Sequence, residues 1–226
     1  MRILAVDTSA VCASVAVTEN GKFLSEASAN TGLTHSRTLM PLIDSVLSNG
    51  EIALDSIDTF ACSVGPGSFT GIRIGVAAIK GLCDALVKKC VPVSTLEALA
   101  HNLVGRCCTA VSVMDARCNQ VYCGIFLIDG NEVSRLTEDM AIKIDDLGKL
   151  LEEYENIIFV GDGAKLCHKA LGYDIAPAGC EYQKGSSVCF TAEKHLDEAV
   201  DSKELLPVYL RLPQAERELK AKQQLK

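Results

Sequence analysis

Between an apolar run, Thr59 to Val64, and a long helical pattern, about Thr70 to Val87, the chain spells Gly65-Pro66-Gly67-Ser68-Phe69-Thr70-Gly71. Glycines admit positive φ and close approach, and a helix starting directly after them offers free N–H groups to an anion. A strand feeding a helix through such a turn belongs to an α/β fold. The segment is not a P-loop, because the Lys-Ser/Thr ending and the G-x-G-x-x-G spacing are both missing. Spacing alone leaves a phosphate cradle and a tight turn capped by Ser68 as equal readings. On the helix, Gly71, Gly75 and Ala78 put small residues along one face, where another helix is expected to pack closely, from this chain or, as the favoured reading, from a partner.

The flanking segments say which α/β fold. Arg2 to Thr8 is nearly continuously apolar, as a strand buried on both faces requires. Ala13 to Thr18 alternates, Asn20-Gly21 signals a hairpin, and a third strand is expected from Phe23 to Ser28. This antiparallel β-meander differs from the opening of a Rossmann domain. A helix is expected from His35 to Leu47, with Pro41 kinking it or shifting its start. Pro92 to Ser94 reads as a short strand and Leu96 to Val104 as a helix. A second lobe begins near Cys108: strands at Ala110 to Met114 and Gln120 to Ile128, a further strand after the Asp129-Gly130-Asn131 turn, a helix at Asp145 to Tyr154, a strand at Ile157 to Val160, and a helix at Ala164 to Leu171. Loop is expected over Tyr173 to Gly185, a helix at Val188 to Leu196, and a terminal strand at Pro207 to Arg211. Glu216 to Lys226 is polar throughout. The expected architecture is two α/β lobes with mixed sheets, residues 1–105 and 106–226, without a close sequence repeat.

Composition narrows the function. The net charge of −7 disfavours this chain as an independent nucleic-acid binder, so a partner is expected to supply the basic surface for any RNA. Trp is absent, which makes the core aliphatic. Eleven cysteines without a C-x-x-C pair, no signal-peptide pattern and no membrane-length apolar run give the expectation of free thiols in a reducing cytoplasm. Cys12, Cys62, Cys83 and Cys123 are expected in the core, while Cys107-Cys108 is a vicinal pair open to a redox reading. Asp7-Thr8-Ser9 ends the first strand, at the sheet edge where α/β proteins bind ligands. Its carboxylate and hydroxyls suit a hydrated metal or phosphate oxygens, and equally a hydrogen-bonded turn. The four histidines, His35, His101, His168 and His195, form no H-E-x-x-H or H-x-x-x-H motif. His35 reads as a cap or interface group, and Asp115-Ala116-Arg117 as an inter-lobe salt bridge.

Taken in order, Ile3 to Ser9, His35 to Pro41, Ser63 to Gly75, Met114 to Arg117 with Val121-Tyr122, and Pro207 to Arg211 with Ala215-Glu216-Arg217 resemble the TsaB (YeaZ) family. The resemblance implies a two-lobed actin-like ATPase (ASKHA) fold and a part in making threonylcarbamoyladenosine in tRNA. The family's catalytic relative, TsaD, carries two metal-binding histidines at H-x-x-x-H spacing; Thr95 and Leu99 stand in the corresponding positions here. The implied role is a non-catalytic subunit that pairs with TsaD, works with the ATPase TsaE and tRNA, and forms a homodimer when alone. The implied pairing surface lies on the first two helices, at His35, Leu39, Leu42, Ile43 and Val46, and at Gly71, Ile72, Gly75, Val76 and Ile79. No cofactor is implied beyond a vestigial nucleotide site at Asp7, Thr8, Ser9, Gly65, Gly67 and Ser68 that binds ATP or ADP weakly. The competing reading is a small-molecule ATPase or phosphotransferase. It would use Asp7 as a metal–water anchor, Gly65 to Gly71 around the phosphates and Gly161-Asp162-Gly163 at the adenosine. A metalloprotease is the third reading, and the lack of paired histidines speaks against it.

Overall fold

The first strand, β1 (Arg2–Asp7), is buried on both sides, and its alternate side chains serve two different layers. It pairs antiparallel with β2 (Ala13–Glu19), and β2 with β3 (Lys22–Ala29). Asn20 and Gly21, with φ of 49° and 72°, supply the left-handed pair that a tight hairpin needs. On its other side β1 takes β4 (Thr59–Gly65) in parallel, followed by β5 (Cys90–Ser94). The first sheet is therefore ordered β3-β2-β1-β4-β5.

The second sheet repeats that order. Its centre is β6 (Arg106–Asp115), flanked by antiparallel β7 (Gln120–Gly130) and parallel β10 (Ile157–Val160). Both β8 (Glu132–Arg135) and β9 (Met140–Lys143) pair with β7, and β11 (Asp174–Ile175) closes the far edge. The path β8-β7-β6-β10-β11 matches the first sheet position for position. The duplication is one of topology, invisible as a sequence repeat. The computed structural model describes residues 1–211; the polar stretch 216–226 and the Ala215-Glu216-Arg217 match lie outside the described residues.

Helices cover both faces. Leu4 and Val6 of β1 meet α1 (His35–Asn49) and α2 (Phe69–Leu86), while Ile3 and Ala5 meet α6 (Gly185–Lys194). In the second lobe Val111 and Val113 face α4 (Ile144–Leu151) and α5 (Ala164–Leu171). Between the lobes lies α3 (Thr95–Ala100), whose Leu96 and Leu99 enter the second core and whose Ala98 enters the first. Among the described residues no helix is long and apolar enough to cross a membrane.

Several expectations need correction. The span 106–226 does not stay in the second lobe, because α6 returns to the first sheet. There Cys189 Sγ donates to the carbonyls of Ile3 and Ala16, at 3.5 and 3.6 Å, and Leu205 is wholly buried in the first core. Pro207 to Arg211 forms no strand: Val208 N–H reaches Val64 carbonyl at 2.8 Å, but β4 ends at Gly65 and the chain bends at Leu210 and Arg211. Tyr173 to Gly185 is not all loop, since β11 lies within it. Pro41 sits well inside α1 without shifting its start, on the exposed side, where its missing N–H leaves the Arg37 carbonyl without a helical partner.

The cysteines are all free. Cys12, Cys62, Cys83 and Cys123 are buried as expected, and burial is the leading cause that pushes the Cys12, Cys62 and Cys123 thiols up. Cys107 is exposed and Cys108 buried, because neighbours on β6 point to opposite faces; the vicinal pair is thereby separated. The inter-lobe ion pair is not Asp115 with Arg117. Arg135 of β8 makes it, with Nη2 2.9 Å from Glu97 of α3 and Nη1 2.5 Å from Asp139. His195 adds a second cation: Nε2 lies 2.8 Å from Glu97 and Nδ1 2.9 Å from Glu198, so both nitrogens must carry protons to satisfy both carboxylates. Burial works against that charge, but the two carboxylates outweigh it and raise the ring's pKa.

Candidate functional site

The edge where β1, β4 and α2 meet is built around one buried carboxylate. Asp7 ends β1, and its Oδ1 accepts Ser9 N–H at 2.8 Å and Ser9 Oγ–H at 2.7 Å. Its Oδ2 accepts Ser63 Oγ–H at 2.5 Å. Burial lifts the Asp7 pKa, against the pull of these hydrogen bonds and of the His35 charge. Asp7, Thr8 and Ser9 are all fully buried. The carboxylate therefore ties the ends of two strands to the turn between β1 and β2.

Glycines bring α2 onto that turn. A Cβ on Gly67 would strike the Ser9 carbonyl, one on Gly71 the Thr8 carbonyl, and one on Gly75 would lie 2.5 Å from Thr8 Oγ1. Thr8 Oγ1 in turn donates to the Gly71 carbonyl at 2.8 Å, and Ser68 N–H to the Ser9 carbonyl at 2.7 Å. Ser68 caps α2 by accepting Gly71 N–H at 3.2 Å. Gly65, at φ +130°, faces the Val208 carbonyl. The small-residue face of α2 is thus corrected: what packs closely against Gly71 and Gly75 is β1 and its turn, within the same chain.

Beyond this seam a cleft of about 370 Å³ opens between the lobes. Ser9, Gly67, Ser68 and Phe69 line one wall; Met114, Asp115, Arg117, Tyr122 and Asp162 line the other. Gly161-Asp162-Gly163 follows β10 as Gly65-Pro66-Gly67 follows β4, and a Cβ on Gly161 would strike the Val113 carbonyl. Of the six nucleotide-site residues expected, Ser9, Gly67 and Ser68 line the cleft, while Asp7, Thr8 and Gly65 stand behind it. Asp115 turns inward on its own loop, accepting Arg117 N–H at 2.7 Å, and Arg117 makes no ion pair among the described residues. His35 is neither cap nor free surface: its Nε2 donates to the Ala10 carbonyl at 2.6 Å, fastening α1 to the cleft wall.

Asp162 faces Asp115 N–H at 3.3 Å, and burial lifts its pKa to about 6. A carboxylate whose folded pKa exceeds its unfolded value contributes stability that is present below pH 4 and lost as pH rises through 6. Two pKa units correspond to about 3 kcal/mol. Asp162→Asn keeps the acceptor and removes the charge, so it is expected to stabilise the protein by about 2 kcal/mol at pH 7.5 and hardly at all at pH 3.5. Urea unfolding at both pH values checks this; an equal difference at both would contradict it.

Eight of the ten expected pairing residues are interior. Leu39, Ile43, Val46, Ile72, Val76 and Ile79 are core residues, and Gly71 and Gly75 are buried. Only His35 and Leu42 keep partial exposure. An amphipathic helix first spends its apolar stripe on its own sheet, and periodicity cannot say otherwise. The outward face of the two adjoining helices is different: Arg37, Met40, Pro41 and Asp44 on α1, and Arg73, Ala77, Gly81 and Ala85 on α2, all exposed. A side chain at Gly81 would meet nothing within 4 Å. The four-residue spacing Ala77-Gly81-Ala85 was legible in the sequence, beside the inward stripe that drew attention first. Thr95 and Leu99, expected to stand in place of a histidine pair, are buried at the lobe junction. Among the described residues no three His, Cys, Asp or Glu side chains gather as a metal-ligand set.

Two matching sheets, a helix wedged between them and a cleft at the parallel-strand ends define the actin-like class. The activator of 2-hydroxyisocaproyl-CoA dehydratase from Clostridium difficile, solved with bound ADPNP, shares this fold at TM-score 0.52, 10% identity, 90% of this chain and 96% of that one. YeaZ from Pseudomonas aeruginosa superposes at TM-score 0.80 with 24% identity, over 92% of this chain and 99% of that one. The family model for TsaD, tRNA N6-adenosine threonylcarbamoyltransferase, matches residues 28–219. The tRNA threonylcarbamoyladenosine biosynthesis protein TsaB of Bacillus subtilis is 31% identical over 96% of each chain. The chain belongs to the TsaB family.

Proposed function

We propose that this chain is a non-catalytic subunit in the formation of N6-threonylcarbamoyladenosine in tRNA, pairing with a TsaD-type protein through the outer faces of α1 and α2. The observation that carries it is the exposed Ala77-Gly81-Ala85 ridge of α2, with Met40 exposed on the adjoining α1, which lets a partner helix approach the backbone of α2. The chemistry belongs to the partner, consistent with Thr95 and Leu99 at the positions of its histidines. TsaE and tRNA join through the same assembly, whose other members supply the cationic surface that a chain of net charge −7 lacks. In isolation the same ridge pairs two copies of this chain.

Size-exclusion chromatography with the TsaD protein of the same organism tests the reading. Gly81→Arg is expected to abolish the complex without destabilising the chain, and to raise stability by up to about 1 kcal/mol through helix propensity, since the site is open and helical. A Gly81→Arg chain that still co-elutes would sink the proposed face. A second reading, a nucleotide-handling enzyme, draws on the inter-lobe cleft with Ser68, Asp115 and Asp162 on its walls. Asp7 offers it no metal–water anchor, being buried with both oxygens hydrogen-bonded. Weak ATP or ADP binding fits the cleft without any catalytic role.

A further inference from the structure

The segment 205–211 crosses beside the cleft from one lobe to the other, and successive residues grip different elements. Leu205 is sealed in the first core, and Val208 N–H donates to Val64 carbonyl at 2.8 Å. The Tyr209 ring stacks on Phe69 of α2, centroids 4.5 Å apart and planes 17° from parallel. Arg73 of α2 donates from Nε to the Tyr209 hydroxyl at 2.8 Å. Leu210 then packs on the second core, and Arg211 Nη1 donates to the Ala116 carbonyl at 2.7 Å. The segment has no regular ladder, and among the described residues these anchors, with Lys80 Nζ donating to the Leu205 carbonyl at 3.4 Å, seat it.

Its two ends touch functionally different places. Arg73 stands on the outer ridge of α2, exposed, one turn before Ala77. Ala116 lines the cleft and leads into Arg117, Cys118 and Asn119, three successive non-glycine residues at φ 66°, 55° and 56°. L-residues avoid a left-handed run of this kind, so its surroundings must hold it. Asp115 holds it from one side, through Arg117 N–H, and Arg211 from the other, through the Ala116 carbonyl.

We propose that segment 205–211 is a strap coupling the outer face of α2 to the inter-lobe cleft. Seating of Tyr209 under Arg73 and clamping of Ala116 by Arg211 are then one event. The strap has a seated state, which fixes the β6–β7 loop, and an unseated state, which frees it. Among the described residues Arg73 hydrogen-bonds Tyr209 through Nε alone, which leaves its two Nη groups for a carboxylate on a docking helix that would order the guanidinium and favour the seated strap. Coupling of this kind is reciprocal: whatever fixes the loop from the cleft side strengthens docking on α2 by the same factor. The coupling is intramolecular; only the identity of the docking helix rests on the function proposed above.

Amide hydrogen exchange across residues 116–120 of the full chain tests it in the wild type, Arg73→Gln, Arg211→Gln and the double variant. Each single change is expected to speed exchange there several-fold, and the double to match Arg211→Gln alone. Exchange in β1 serves as the folding control. Wild-type exchange in Arg73→Gln, or the full Arg73→Gln effect added on top of Arg211→Gln, would overturn the strap. In a second arm, the TsaD-type protein should slow loop exchange in the wild type but not in Tyr209→Phe; a complex that leaves the loop unchanged overturns the link to the α2 face. Failure of the wild type to form any complex would strike the proposed function, while the four-chain comparison still decides the strap.

Discussion

Replacing Asp7 by alanine is expected to destabilise the protein by about 3–5 kcal/mol, because a buried hub is removed and its partners are left unpaired. Ser9 N–H, Ser9 Oγ–H and Ser63 Oγ–H all donate to that carboxylate, and both serines are fully buried. Asp7→Asn should cost far less. Its Oδ1 keeps both Ser9 bonds, and Ser63 can turn its hydroxyl to accept from the amide. The direction of the pKa shift sharpens the contrast. Asp7 is raised by burial, so its contribution to stability is full below the ordinary carboxylate range and is lost as pH rises through the raised value. Asp7→Asn should therefore gain on the wild type as pH increases, and chemical denaturation at pH 4 and pH 8 would reveal it. Alanine and asparagine variants that both keep wild-type stability and both lose ligand binding would restore Asp7 as a metal–water anchor.

Gly71→Ala is the second large effect, and its sign runs against helix propensity. Alanine is about 1 kcal/mol better than glycine in a helix interior. At position 71, however, the new methyl lands on the Thr8 carbonyl, a backbone atom fixed in the first sheet's edge. The helix must move away, breaking the 2.8 Å bond from Thr8 Oγ1 to the Gly71 carbonyl. A net loss of about 3 kcal/mol is expected from overpacking of this kind, or about 6–12 °C in Tm for a chain of this size. Gly81→Ala, on the same helix but facing open space, should instead raise stability by a few tenths of a kcal/mol to about 1. Thermal melts of the pair give the answer; two glycines that respond alike would mean that α2 does not sit on Thr8.

Much of the fold was legible because periodicity and turn chemistry are local. The unbroken run of β1, the Asn20-Gly21 hairpin and the Ser68-capped start of α2 each follow from a few neighbouring residues. β9 shows the limit: Met140 to Lys143 alternates cleanly in burial, yet four residues between turns carry too little signal to stand out. β11, two exposed residues long, left no pattern at all. The Arg135–Glu97–His195 network joins residues 38 and 98 positions from Glu97, and no spacing rule could have paired them.

What the sequence determined by itself was the class of fold and the family. The meander followed by a glycine-rich strand-to-helix turn is written in contiguous residues. It also showed that α2 carries small residues at four-residue spacing. Which of those residues faced inward only the tertiary structure decided. A helix has one period but two sides, and the choice between them is made by atoms sixty positions away: the Thr8 carbonyl claims Gly71, and Gly81 is left open to a partner. The same long-range packing turned Asp7 from a candidate ligand into a structural tie. It also brought α6 and the strap at 205–211 back across the boundary at which the second lobe was expected to continue.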